Sequence, residues 1–482
     1  MTTTSAISGR RLAALVVLCA ATMMTVLDET VANVAIPSIQ RDLGFGGHQL
    51  SWVVNGYLVS FGSLLLLAGR IGDLIGRRRV LLAGLALFTA ASLACGLAPS
   101  AAALVSARFA QGAGAALASS VALGMIVSLF DDPARRARAI GIYAFMASAG
   151  ASAGLFLGGV VTGVAGWRWA FFINVPVGVV MLLLGHRVLT PETGTGLRSG
   201  ADYPGAVLLV GGVAATILAV VDPGRRAAAI PAAVLLAGFA ARQIRAARPL
   251  LPVAVLRSRP VVGANLVLAI LGGSMLGFQY LITLYLQDVL GYSPARSGSA
   301  ILPIAIGIAG LSLFGYPRIS HRTGPRALIV PGMLTVAVGM FLLVFTPTHG
   351  HYAGSVLPSM LLFAIGGGTA IPAVMSTAMS ETTPDAAGAS SGLLSTSQQV
   401  GSAIGLAVLS SVAATTTTGL TAHGRTAAAA AVGGYHVGWG IGAALLAAAV
   451  GVAAVTMRRP NVPSAPEPDE SSAPAAEIPV IA

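Results

Sequence analysis

The sequence predicts an all-α polytopic membrane protein: two pseudo-symmetric six-helix bundles with two extra transmembrane helices between them, fourteen spans in all. Three observations predict it. Of 482 residues, 55% are hydrophobic and only 9% are charged, a balance that excludes a water-soluble globular protein of this length. Apolar runs long enough to cross a bilayer, about 17 to 25 residues each, recur along most of the chain with charges collected in the gaps. In lipid such runs must be helices, because an open backbone finds no partner there. The two halves also resemble each other. "DDPARRARAIGIYAFMASAGASAG" and "TTPDAAGASSGLLSTSQQVGSAIG" superpose at one constant offset, with Pro133 on Pro384, Gly141 on Gly392, Gly150 on Gly401 and Gly154 on Gly405.

In chain order the spans fall near residues 12 to 36, 50 to 69, 79 to 98, 101 to 129, 138 to 162, 169 to 189, 205 to 221, 227 to 244, 261 to 286, 297 to 316, 326 to 346, 353 to 379, 393 to 416 and 434 to 457. The eighth is short, interrupted by Pro231 and flanked by Arg225, Arg226 and Arg242. The chain divides into a cytoplasmic N-terminus (1–11), an N-terminal bundle (12–189), a linker carrying the extra pair (190–260), a C-terminal bundle (261–457) and a tail (458–482). That tail is rich in Pro, Ala, Ser and acid and reads as disordered. With both termini cytoplasmic, 21 of the 28 arginines lie on the inner side; Arg41, Arg168, Arg225, Arg226, Arg296 and Arg425 lie outside and Arg108 within a span. This positive-inside bias predicts a multi-pass protein of the cytoplasmic membrane. It also accounts for the net charge of +12 without nucleic-acid binding, and the absence of lysine reads as coding bias. Cys19 and Cys95 fall inside apolar runs and read as packing residues, not as a disulfide or a metal site. The first run is too long for a signal peptide, so none is expected to be cleaved.

After the second span comes "GRIGDLIGRRR", with Gly69, Asp73, Gly76, Arg77, Arg78 and Arg79 at a helix end. It resembles the cytoplasmic-loop signature of the major facilitator superfamily, with Leu74 where a basic residue is usual. A degenerate echo, "PRISHRTGPR", follows the tenth span, with His321 in place of the acid. "LDETVANVAIP", through Asp28, Thr30, Asn33 and Pro37, resembles the first-helix signature of the fourteen-helix drug/proton antiporter branch. "RFAQGAGAA" resembles its fourth-helix signature through Arg108, Gln111, Gly112 and Gly114, and "WRWAFFINVPVG" and "YLQDVLGYSPARSGSAILP" are typical of the same branch. The fifth-helix antiporter signature is similar to Gly150, Gly154, Gly158 and Gly159, with Leu155 where proline is usual. The resemblance implies that Asp73 and the arginines after it, with Asp131 and Asp132 at the end of the fourth span, form a cytoplasmic gate, although a topological anchor would use the same residues. Glycines four apart suit either rocking contacts or static close packing. Gly388, Ser390 and Gly392 match a hydrolase elbow, but they open a membrane helix without the strand and partners that the motif needs, so no enzyme is expected.

Three intramembrane ionisable residues stand out as functional candidates: Asp28, Glu29 and Arg108. On a helical wheel Glu29 shares a polar face with Thr22, Thr25 and Asn33, while Asp28 lies about 100° away. Periodicity alone favours Glu29 as the proton-coupling acid; the family motif favours Asp28, which the resemblance therefore ranks first, with Glu29 behind it. Arg108 lies at a matching depth, placed either toward a central cavity or in an ion pair holding the first and fourth helices together. Asn33, Asn55, Tyr57, Gln111, Phe278, Gln279, Tyr280 and Tyr285 are the expected cavity residues. The implied function is secondary active transport by a monomer: export of neutral or cationic lipophilic drugs or antibiotics against protons, with the proton gradient in place of any cofactor. A proton symporter or facilitator for a small metabolite shares the fold and stays open as the alternative. The chain carries no nucleotide-binding P-loop.

Overall fold

The computed structural model describes residues 9–46, 49–130, 132–191, 194, 196, 202–246, 249–250, 258–323, 326–379 and 387–457. Asp131, Pro384 and the tail from 458 onward therefore lie outside the described residues. The described chain is helical throughout: α1 (Gly9–Leu43), α2 (Trp52–Ile75), α3 (Arg77–Gly96), α4 (Ala101–Leu129), α5 (Pro133–Ala165), α6 (Trp169–Phe172), α7 (Asn174–Val188), α8 (Tyr203–Val221), α9 (Ala229–Arg245), α10 (Arg259–Leu284), α11 (Pro294–Gly310), α12 (Tyr316–Thr323), α13 (Arg326–Leu342), α14 (Tyr352–Ser355), α15 (Leu357–Met379), α16 (Ala387–Ala422) and α17 (Ala427–Thr456). Among the described residues, thirteen helices are long and apolar enough to cross a membrane. The fifth expected span falls in α5, whose apolar stretch is shorter, Ala149–Ala165.

Proline chemistry explains where helices break and where they do not. Pro176 has no N–H for the carbonyl of Phe172, and the sixth span divides there into α6 and α7. Pro358 divides α14 from α15 in the same way. Pro231, which seemed to interrupt the eighth span, sits in the first turn of α9, where the missing N–H would have had no intrahelical acceptor. Between α2 and α3 the chain turns at Gly76 with φ 100°, a left-handed conformation that favours glycine.

Packing repeats with the internal symmetry. In the first half α1 packs on α5 and α7, α4 on α2 and α3, and α3 on α7. In the second half α10 packs on α16 and α17, α15 on α11 and α13, and α13 on α17. Contacts between the halves run mainly through α5 against α11 and α2 against α16, with smaller ones of α1 against α10 and α11. The extra helix α8 touches both halves, at α2 and α16, and pairs with α9. Buried Asp202 caps α8 through the Gly205 N–H and binds Arg242 and Gln243 of α9, which closes the α8–α9 hairpin.

Glycines carry the equivalent contacts in both halves. A Cβ at Gly150 would stand 2.8 Å from the Met23 carbonyl of α1, and one at Gly158 would stand 2.9 Å from the Val31 Cα. The repeat-related Gly401 and Gly405 meet the backbone of Ala269 and Gly273 on α10 with the same lack of room. In lipid, close backbone approach of this kind supplies the van der Waals contact that holds helices together. Gly405→Ala is therefore expected to destabilise the protein by roughly 1–3 kcal/mol through overpacking. Gly451→Ala, with open space around it, is expected to be neutral or to gain up to about 1 kcal/mol of helix propensity. Thermal unfolding of the purified variants checks the opposite signs.

Candidate functional site

The polar residues of α1 and α4 meet inside the first half. Gly112 lies against the Tyr57 carbonyl and Ser60 of α2, and Gly114 lies 2.5 Å, measured from an added Cβ, from the Phe88 nitrogen of α3. These bare surfaces draw α4 onto its neighbours and carry Arg108 and Gln111 into the interior. Arg108, 0% exposed, forms an ion pair with Asp28, 1% exposed. The same Arg108 Nη1 donates to Gln111 Oε1 at 2.7 Å, and Nε donates to the Val53 carbonyl at 2.9 Å. The guanidinium lies over the Tyr57 ring, 4.5 Å from its centroid. On the other side of the carboxylate, Asp28 Oδ1 accepts from Gln111 Nε2 at 2.7 Å and from Asn174 Nδ2 at 2.8 Å. Gln111 Nε2 also donates to Ser92 Oγ at 2.7 Å, and the Cys95 thiol reaches Gln111 Oε1 at 3.6 Å.

These partners belong to α1, α2, α3, α4 and α7, so the expectation that Arg108 faces a cavity between the halves is corrected. The ion-pair alternative is the one observed, extended into a network. Burial drives that outcome: an uncompensated charge in the bundle interior costs several kcal/mol, and pairing plus hydrogen bonds offset it. Asn174 and Ser92 were not anticipated. The signal for Asn174 was an amide inside the apolar stretch "WRWAFFINVPVG". Its position is set by the turn before it, where Trp167 Nε1 donates to Asp42 Oδ2 at 2.9 Å and Arg168 pairs with the same carboxylate at the end of α1.

Glu29 has different surroundings. It is half-buried, and its side chain faces that of Gln399 on α16, in the opposite half. Gly62 makes this possible: a Cβ there would stand 2.8 Å from the Gln399 Cβ, so α16 approaches α2 closely at this level. Thr22, Thr25 and Asn33, which share the Glu29 face, are buried, and their polar groups are turned back onto α1, with Thr25 Oγ1 donating to the Thr22 carbonyl and Asn33 Nδ2 to the Glu29 carbonyl. Asn55 of α2 is fully buried with neither amide atom hydrogen-bonded.

The other expected residues separate into three places. Tyr57 lies beneath Arg108 and donates to the Thr25 carbonyl at 3.3 Å. Phe278 stacks on Phe363 at 4.2 Å, and Tyr285 packs on Trp439 at 5.9 Å while donating to the Pro347 carbonyl. Both ring contacts are made within the second half. Tyr280 is also buried, and Gln279 is partly exposed. At the arginine-rich end, Arg77 pairs with Asp73 at 3.3 Å and reaches the Gly124 carbonyl of α4 at 3.5 Å. Arg78 donates to the His186 carbonyl at 2.5 Å, whereas Gly69 is only loosely packed, its added Cβ 3.9 Å from Ser120. Asp132 caps α5 through the Arg135 N–H at 2.8 Å. Leu74, the departure from the loop signature, is buried, and its carbonyl accepts the Gly196 N–H at 3.0 Å from the segment that follows α7. Gly150, Gly154 and Gly158 face α1, while Gly159 faces Pro294 and Ala295 of α11 across the halves.

The network carries a stability expectation. Asp28→Ala leaves Arg108 buried without its counter-ion and is expected to cost roughly 3–5 kcal/mol. Glu29→Gln, half-buried and facing an amide, is expected to cost no more than about 1 kcal/mol. Denaturation of the two variants side by side in the same detergent checks the difference.

Residues 18–406 match the model of the Major Facilitator Superfamily. The chain is 38% identical over 456 residues to the puromycin resistance protein pur8 of Streptomyces alboniger, covering 93% of this chain and 90% of that one. It is 38% identical to the cephamycin export protein CmcT of Amycolatopsis lactamdurans over 416 residues, 84% of this chain and 86% of that one. With the multidrug resistance protein Stp of Mycobacterium tuberculosis it shares 34% over 404 residues, 81% of this chain and 74% of that one. Among solved structures it superposes on a bacterial homologue of the lysosomal transporter Spinster, inward-facing and occupied, with a TM-score of 0.70, 16% identity and coverage of 94% and 98%. The chain, with its many membrane-length helices and its two like-packed halves, belongs to the Major Facilitator Superfamily of membrane transporters.

Proposed function

We propose that this protein exports antibiotics or other lipophilic, neutral or cationic drugs across the cytoplasmic membrane in exchange for protons, working as a monomer by alternating access. In this reading fourteen spans form two six-helix bundles around an extra pair, with both termini in the cytoplasm. Relatives named for puromycin resistance, cephamycin export and multidrug resistance support drug export. The observation that carries the coupling is the division between the two adjacent acids. Asp28 is held with Arg108 inside one half, whereas Glu29 lies at the boundary with the other half, against the neutral amide of Gln399.

That boundary has the character of a surface that opens. Asn33 Oδ1, both amide atoms of Asn55, and the hydroxyls of Ser63, Thr162, Ser274, Ser297 and Thr396 are buried without a hydrogen-bond partner. All lie on α1, α2, α5, α10, α11 and α16, each of which touches the opposite half. Buried polar groups left unpaired cost about 1–3 kcal/mol each, and a rocking motion that hydrates them in the alternate state recovers part of that cost. At the arginine-poor end the halves are joined, with Gln287 Nε2 donating to the Val34 carbonyl at 3.1 Å and Gly159 against α11. Substrate and proton then compete for the space next to Glu29. With Asp28 and Arg108 neutralising each other, its carboxylate biases that space toward cations over anions.

Everted vesicles with a fluorescent proton probe test the reading, using a drug panel that begins with puromycin. Wild-type protein is expected to release protons on drug addition. Glu29→Gln should abolish that release while the protein remains folded and inserted; normal coupling in this variant sinks the assignment. At the arginine-rich end, Asp73→Ala removes the acid that pairs with Arg77 and is expected to shift the population toward one facing state. Cysteine-accessibility labelling of both vestibules reads it, and unchanged labelling with normal transport makes the loop an anchor only.

A further inference from the structure

A groove of about 490 Å³ lies away from the carboxylates, between the α8–α9 hairpin and α16. Its walls are apolar, with Val220 on one side and Val408 and Val412 on the other, and its lining includes Thr415, Thr416 and Arg226. Arg226 belongs to the turn Pro223–Ala228 that joins two membrane-length helices, so its guanidinium stands where a bilayer turns from hydrocarbon to headgroup. Arg225 beside it pairs with Asp222 at 3.3 Å. Arg226 is exposed and has no acidic partner among the described residues. From Thr416 back to Val408 the α16 wall descends about 12 Å along the helix, the depth of an upper acyl chain. On the outer side α9 offers Ile230 and Val234 as exposed apolar surface.

We propose that this groove binds an anionic phospholipid, with the headgroup phosphate on Arg226 and the Thr415 and Thr416 hydroxyls and an acyl chain along Val220, Val412 and Val408. Charge complementarity selects the headgroup: one free cation at interface depth, flanked by hydroxyl donors, fits a phosphate that carries net negative charge better than a zwitterion. The site also has a mechanical position. Its floor is the contact in which Ser411 Oγ donates to the Val220 carbonyl at 2.6 Å, and α16 is the helix that carries Gln399. Since α8 touches both α2 and α16, a lipid wedged beside it bears on the contact between the halves. The proposal stands whether or not the transport reading does, because its test measures binding.

The full chain in neutral detergent is titrated with phosphatidylglycerol and with phosphatidylcholine of the same acyl chains, and binding is read by native mass spectrometry and by the shift in thermal midpoint. Wild-type protein is expected to prefer phosphatidylglycerol. Arg226→Gln should weaken that lipid about fivefold, as expected for one interfacial arginine, and leave phosphatidylcholine unchanged. Arg226→Lys should retain part of the preference, and Arg225→Gln nearly all of it. Val412→Trp, which fills the groove, should weaken both lipids. Equal binding of the two lipids by wild type, an unchanged Arg226→Gln variant, or an equal loss in Arg225→Gln would each overturn the site. So would displacement of the lipid by inorganic phosphate alone at matching concentration, which would mean a simple anion site. If Arg226→Gln does not purify, Arg226→Lys and Val412→Trp decide the question.

Discussion

The arrangement of the first half turns on one buried ion pair, in which every polar side-chain atom but Arg108 Nη2 has a hydrogen-bond partner. Arg108 and Asp28 are fully buried, and each charge left bare in that setting would cost several kcal/mol. The solution recruits most of the first half. Gln111 bridges acid and arginine, Asn174 takes the second carboxylate oxygen, the Val53 carbonyl takes Nε, and the Tyr57 ring covers the guanidinium face. Each of these comes from a different helix or a different turn, so the pair acts as a knot that sets the relative positions of α1, α2, α4 and α7.

The second half has no equivalent charge knot among the described residues, and its interior is held by other means. Phe278 stacks on Phe363, and Tyr285 and Tyr435 gather around Trp439. The glycine contacts between α16 and α10 repeat those between α5 and α1. The duplication therefore preserved backbone proximity while the polar content diverged. Small residues at fixed intervals are constrained by the approach of two backbones, whereas side chains in a helix interior need only be mutually satisfied.

Much of this was legible in the sequence. Apolar run length located the helices to within a few residues at most ends, because lipid allows few alternatives to a helix. The constant offset from Gly150 to Gly401 and from Gly154 to Gly405 exposed the repeat. The residue types of the network were legible too, since an acid, an arginine and a glutamine inside apolar runs have few uses. Their direction was not. A helical wheel ranks faces of one helix but does not say which neighbour covers each face, so Arg108 was directed to a central cavity when it pairs with Asp28 inside its own half. Gln399 escaped notice for the same reason: a glutamine among serines and threonines in "STSQQVGSAIG" is unremarkable until Gly62 brings it within reach of Glu29.

Adjacent acids on one helix point about 100° apart, and no rotation of α1 can give both the same surroundings. With Asp28 committed to the α4 and α7 side, Glu29 is directed to the edge of the bundle, where α2 and α16 pass each other at Gly62. Displacement of α16 along α2 would remove the Gln399 amide from Glu29 and put something else there, without disturbing a single bond to Asp28. The two residues are thus mechanically independent although they share a peptide bond. One is constrained by the fold of its own half and the other by the relation between halves.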